Sequence, residues 1–281
     1  MAVLLSLLSA AVYGVGDFCG GMATKGASAA AVLLWSHGVG LLLIVAVMPF
    51  MSGTATTSDL VLGALGGLAG AAGVGLLYQA LAIGPMIVVA PVAALIAAAI
   101  PASVGLVTCD RPGPAVGVGM TLALVAIVAV CAGGDRTLAP SLRRGVSGAI
   151  GAGVGFGLFF VALAATGDNA GLWPLLAARM ASVSVMVLLA LSGRIDPEIR
   201  RGPSRPLTAS AGGLDLVANA CYLLALRQGL LSVVAVLSSL YPVSTIVLAR
   251  VVLGERFMAI QRVGIVLALA ATALMATGGG I

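Results

Sequence analysis

Four ionisable side chains stand in stretches that are otherwise oily: Asp17 in AVYGVGDFCGG, His37 in LLWSHGVGLLL, Arg179 in LLAARMASV and Asp215 in GGLDLVANA. A charge at the centre of a hydrocarbon layer costs about 2.5–3.5 kcal/mol on insertion scales, so such groups face a cavity or a partner. Tyr13 precedes Asp17 by four residues, and Asp215, Asn219 and Tyr222 follow at i, i+4 and i+7. At helical spacing each set shares one face, and polar faces on two helices imply a lined cavity. Ser238, Ser239 and Tyr241 can add hydroxyls to it, and Pro242 removes a backbone donor beside them. In such a cavity Asp17 binds a proton or a cationic group, or else bonds a neighbouring helix. His37, whose ring titrates near neutrality when unperturbed, is its natural proton partner or a packing residue. Arg179 holds a substrate carboxylate or pairs with a backbone carbonyl. All ten residues, Tyr13, Asp17, His37, Arg179, Asp215, Asn219, Tyr222, Ser238, Ser239 and Tyr241, are therefore candidate substrate contacts, with Asp17 and His37 the candidates for proton coupling.

Enzyme chemistry has little to work with. There is one histidine, no HExxH and no acidic cluster with ligand spacing, so neither a catalytic set nor a metal or cofactor site is indicated. Cys19, Cys109, Cys131 and Cys221 are scattered without CxxC spacing and read as small hydrophobes.

The elements that must position these residues span a membrane. Of 281 residues 61% are hydrophobic and 8% charged, with mean hydropathy +1.20, against about 25% charged in a soluble domain. Apolar runs long enough to cross a hydrocarbon core of about 30 Å recur throughout. Ten spans are expected: 2–23, 28–50, 59–83, 86–108, 114–133, 145–167, 171–193, 207–229, 231–252 and 258–278. The first lacks a basic n-region and is read as a retained helix. No alternating ten-residue pattern supports a barrel, so the fold class is all-α. Measured from span midpoints, Asp17, His37 and Asp215 are displaced to one side by roughly 7, 3 and 4–5 Å, and Arg179 to the other by a similar amount.

The net charge of +5 is not a nucleic-acid footprint, because the arginines lie in short loops and report orientation. One set of loops holds Lys25, Arg136, Arg143, Arg144, Arg194, Arg200, Arg201, Arg205, Arg250, Arg256 and Arg262; the other holds Arg111 and Arg227. The positive-inside rule puts the first set in the cytoplasm and both termini outside, in a multi-pass plasma-membrane protein. Trp173 is an interfacial anchor. The pairs Gly66 and Gly70, and Gly151 and Gly155, are small-residue packing faces, and Pro85, Pro91 and Pro101 in the fourth span are read either as marking a gating element or as prolines of the kind that inert bundles also carry.

A shift of 145 residues superposes the chain on itself. It sets ALAIGPMIVVA from Ala80 on ALRQGLLSVVA from Ala225, CDRP (109–112) on GERF (254–257), and VGMTLALVA on VGIVLALAA. Residues 1–134 and 145–281 are thus expected to be two five-helix repeats joined by a loop at 135–144. Five is odd, so the second repeat enters the membrane inverted, an arrangement that supports alternating access to one central site.

These residues resemble a known family. The two five-span halves, the ALxxG pattern (Ala80, Leu81, Gly84; Ala225, Leu226, Gly229) and an acidic–Arg pair closing the fourth span of each half are similar to the drug/metabolite transporter superfamily, EamA type. The best motif is YPVSTIVLARVVLGERF, 241–257; the first-half copy has Asp110 for Glu and Cys109 for Gly, and Tyr13-Gly14 stands where the family often has Trp-Gly. The resemblance implies a basket of helices around a central cavity and export of a small metabolite, amino-acid-like compound or drug, with the bilayer and a small molecule as partners; Asp17 and His37 add protons as a candidate partner. The pairs Asp110–Arg111 and Glu255–Arg256 are read as structural turn pairs. A lipid or lipid-linked sugar flippase, a channel and an intramembrane enzyme are the rival functions; oligomeric state is not legible.

Overall fold

The computed structural model describes residues 1–83, 86–108, 110–131, 139–198, 204–253 and 259–278, all of it helix, turn and loop without a strand. The helices are α1 (Ala2–Ala23), α2 (Ala29–Val47), α3 (Thr57–Ile83), α4 (Met86–Thr108), α5 (Pro114–Cys131), α6 (Ala139–Ala164), α7 (Trp173–Leu191), α8 (Ser204–Leu226), α9 (Leu231–Ser238), α10 (Tyr241–Leu253) and α11 (Ala259–Gly278). Among the described residues six spans are long and apolar enough to cross a membrane: Ala2–Ala23, Ala29–Phe50, Thr57–Ile83, Arg144–Ala164, Trp173–Leu191 and Ser204–Leu226. Shorter apolar stretches cover Val92–Thr108, Pro114–Ala129, Leu231–Thr245 and Arg262–Met275.

Local chemistry sets the helix ends. Ser28 accepts the Ala31 N–H at 3.1 Å and starts α2. Thr56 and Asp59 form a reciprocal capping box on α3: Asp59 N–H donates to Thr56 Oγ1 at 3.2 Å, and Thr56 N–H to Asp59 Oδ2 at 2.8 Å. The second Asp59 oxygen accepts the Gly167 N–H at 2.7 Å, tying the loop after α6 to this end of α3. Helix α7 stops at Gly193, whose φ of +70° allows the Schellman bonds Arg194 N–H to Leu189 O and Gly193 N–H to Ala190 O, both 3.0 Å.

Two expectations are corrected. Residues 139–144, read as connecting loop, belong to α6, which runs Ala139–Ala164. The single span at 231–252 is interrupted after Ser238 by a turn at Ser239–Leu240 and restarts at Tyr241. Pro242 has no N–H to give to the Ser238 carbonyl, so the helical ladder cannot run through.

Packing follows a pattern. Helix α3 lies on α6 and α8 on α1; α4 lies on α6 while α9 and α10 lie on α1; α3 meets α7 as α8 meets α2. Three further contacts join α5 to α11, α2 to α7 and α4 to α9. Glycine permits the closest approaches: a Cβ on Gly67 would strike the Ala178 backbone of α7, and one on Gly212 the Ser36 backbone of α2. Loops 51–56 and 165–172 meet at one end of the bundle, where Thr54 N–H donates to Asn169 O at 2.8 Å. At the other end Ser28 and Trp35 donate to the carbonyls of Asp196 and Pro197.

Candidate functional site: a central cavity

Between these helices lies a cavity whose walls differ in chemistry. Tyr13 and Asp17 of α1, Asp215 and Asn219 of α8, His37 of α2, Arg179 of α7 and Tyr241 of α10 line it. Gly67, Gly70, Ala71 and Val74 of α3, and Phe156, Phe159 and Phe160 of α6, form the other side, with Leu175 and Ala178 of α7.

The polar side is cross-linked. The Tyr13 hydroxyl donates to Asn219 Oδ1 at 2.7 Å, and Asn219 Nδ2 donates to Asp215 O at 2.7 Å and Asp215 Oδ2 at 3.1 Å. Asp215 in turn forms an ion pair with Arg179, whose side chain is 8% exposed against 23% for the carboxylate. The i, i+4 spacing of Asp215 and Asn219 brings them onto one acceptor set, so the sequence periodicity becomes a hydrogen-bond chain. Midpoint depths put Arg179 and Asp215 on opposite sides of the membrane centre. The long arginine side chain closes that gap, lying against Gly40, where a Cβ would come within 3.3 Å of Nε.

Asp17 is different. It lines the cavity and has no hydrogen-bond or ion-pair partner among the described residues. It does not pair with His37. The His37 ring is 4% exposed, and its Nδ1 meets Ser182 Oγ at 2.9 Å.

Three candidate contacts lie outside the lining. Tyr222 shares the angular position of Asp215, but seven residues at 1.5 Å each carry it about 10 Å along α8. There it is fully buried, stacked on Phe160 with ring centroids 4.2 Å apart. Ser238 and Ser239 are 1% exposed at the break between α9 and α10, and Ser238 Oγ donates to Ser6 O at 3.4 Å. Tyr241, just past the break, does line the cavity, and its hydroxyl donates to Ala90 O at 3.3 Å.

Of the turn pairs, Glu255–Arg256 lies outside the described residues. Asp110 accepts the Ser232 N–H at 2.7 Å, so its partner is the first turn of α9 and not Arg111, which is exposed. A carboxylate there satisfies an otherwise open helix donor and opposes the positive end of the helix dipole.

The sequence reading missed the aromatic wall. FGLFF at 156–160 holds three of the chain's six phenylalanines, which was the available signal. Gly70 was read as packing alone; it also borders the cavity, and a Cβ on it would meet the Phe159 ring at 3.2 Å.

The model of the EamA-like transporter family matches residues 143–277. Among curated proteins none matches the chain. A solved crystal structure, described only as that of a protein, superposes with a TM-score of 0.72 over 95% of this chain and 98% of its own, at 18% identity, a likeness of fold alone. A multi-pass helical bundle with an internal cavity and an EamA-like second half points to a membrane transporter, a class of protein whose partners are the lipid bilayer and a small molecule. That second half, and not the whole chain, is what the family match identifies as EamA-like.

Proposed function

We propose that this transporter carries a small molecule with a cationic group across the membrane by alternating access, with Asp17 as the carboxylate that receives it. The observation that carries this reading is the unmatched charge of the cavity. Its lining holds two carboxylates and one guanidinium, and Arg179 is already engaged by Asp215. Asp17 is left facing the cavity without a partner, in a setting where a lone charge is costly. A proton and a cationic substrate can each satisfy it, one at a time, which is the minimum device for exchange of one against the other. Tyr13, His37, Arg179, Asp215, Asn219 and Tyr241 surround the same space, while Phe156, Phe159 and Phe160 offer surface for an apolar portion of the substrate.

Alternating access rests on ten spans in two inverted five-helix repeats, residues 1–134 and 145–281. Support comes from the packing: the most extensive contacts between one repeat and the other come in counterparts, α3–α6 with α8–α1 and α3–α7 with α8–α2, as expected of a two-fold axis in the membrane plane. His37 and Ser182, which touch, are separated by 145 residues, the sequence shift itself. The loop charges favour a plasma-membrane orientation with both termini outside, and the family resemblance favours export.

The test is transport by the purified chain in proteoliposomes, using a panel of amines, amino acids and nucleosides with and without a pH gradient. Uptake of a cationic compound that Asp17→Asn abolishes is the expected result. Transport that ignores a pH gradient and survives Asp17→Asn eliminates the proton-exchange role of Asp17.

A further inference from the structure

We propose that His37 Nε2 is a second acceptor for the substrate, so that the cavity selects a cation bearing N–H donors, a primary ammonium, over a quaternary one of similar shape. The inference deepens the cation-transport reading and rests on it. Its ground is the hydrogen-bond arrangement around Ser182. That hydroxyl has a single hydrogen, and it donates to the Arg179 carbonyl at 3.1 Å. Ser182 Oγ must therefore accept at its 2.9 Å contact with His37, which makes Nδ1 the protonated nitrogen of the neutral ring. The lone pair is then on Nε2. With Nδ1 turned to Ser182, the opposite edge of the ring carries Nε2, an atom fully buried and without a partner among the described residues. His37 lines the cavity, as Asp17 does.

An acceptor buried without a donor is costly, and a donor supplied by the substrate removes that cost on binding. Two acceptors, Asp17 and His37 Nε2, then belong to side chains that line one space, which holds no uncommitted cation among its described lining residues. A primary ammonium has three N–H groups to divide between them; a trimethylammonium has none. A site built to bond an N–H discriminates strongly against an analogue lacking it, because its own polar atoms stay unpaired when the analogue binds.

The experiment compares binding of 2-phenylethylammonium and its N,N,N-trimethyl analogue to the purified full chain in detergent, by calorimetry. The wild type is expected to favour the primary amine by about tenfold, or ~1.4 kcal/mol. His37→Asn keeps a group near Nδ1 for Ser182 but has none at the Nε2 position, and should abolish the preference by weakening only the primary amine. His37→Gln places an amide near the Nε2 position and should retain the preference. Equal binding of both amines by the wild type, or a preference undiminished in a folded His37→Asn protein, overturns the proposal. Binding of neither amine also overturns it, whereas the transporter reading then stands or falls separately on proteoliposome uptake of the anionic and zwitterionic compounds.

Discussion

The pair α1–α8 and the pair α3–α6 occupy corresponding places on either side of the cavity, and they hold it in opposite ways. The α1–α8 wall is built from polar groups in a chain, Tyr13 to Asn219 to Asp215, which ends on Arg179 of α7, with Asp17 beside the chain but outside it. Among the described residues the α3–α6 wall has no charged group lining the cavity; glycines let the backbones close and the phenylalanines fill what remains. Similar packing with different chemistry means that one wall can set charge selectivity while the other tolerates shape. It also separates polar residues that are bonded to one another from Asp17, which has no such partner among the described residues.

That separation can be broken most sharply at Asp215. Asp215→Leu strands the Arg179 charge, and removing one partner of a buried pair costs about 3–5 kcal/mol. Because the Asp215 side chain is 23% exposed, the lower end, about 3 kcal/mol, is expected in thermal unfolding. Adding Arg179→Met should recover most of the loss. An unchanged unfolding temperature in the single variant would mean that the polar wall does not hold the fold.

On glycine packing the two sides should behave alike. Gly67→Ala and Gly212→Ala each force a methyl into backbone, and overpacking costs about 1–3 kcal/mol. Gly117→Ala, with nothing within 4 Å of its added methyl, should be neutral or stabilising by up to ~1 kcal/mol. If all three variants unfold together, close approach at Gly67 and Gly212 is not what limits the packing.

Asp17→Asn should act on the ligand alone. Cation binding is expected to fall about tenfold, or ~1.4 kcal/mol, with no loss of thermal stability, since the carboxylate has no partner among the described residues. A destabilised Asp17→Asn protein would move this residue to the structural side of the comparison. The smallest effect belongs to the opposite wall: Phe156→Leu should weaken binding of aromatic cations by less than about 1.5 kcal/mol and leave aliphatic ones unchanged, as the loss of one aromatic contact predicts.

The polar wall was legible in the sequence because a charge or amide in a membrane span is conspicuous, and i, i+4 spacing assigned Tyr13 with Asp17 and Asp215 with Asn219 to common faces. The aromatic wall was not. In a soluble protein hydropathy separates inside from outside, but in a bilayer Phe159 against a cavity and Leu158 against lipid are equally oily, so composition carries no sign of which faces inward. Tyr222 shows the limit of angular reasoning, which is blind to position along the axis. Arg179 shows the limit of depth reasoning, which counts backbone position and omits the reach of the side chain. The break at Ser239–Leu240 was foreshadowed by Pro242, although its consequence, the withdrawal of Ser238 and Ser239 from the lining, depends on the direction in which the chain resumes.

The bond from the Thr54 N–H to the Asn169 carbonyl clasps two loops at one end of the bundle. A conformational cycle that opens this end must release that amide to water each time, and one that leaves the end closed need never do so. Its hydrogen–deuterium exchange is therefore a built-in clock: a rate that rises with turnover counts openings at this end directly, with no label attached to the protein.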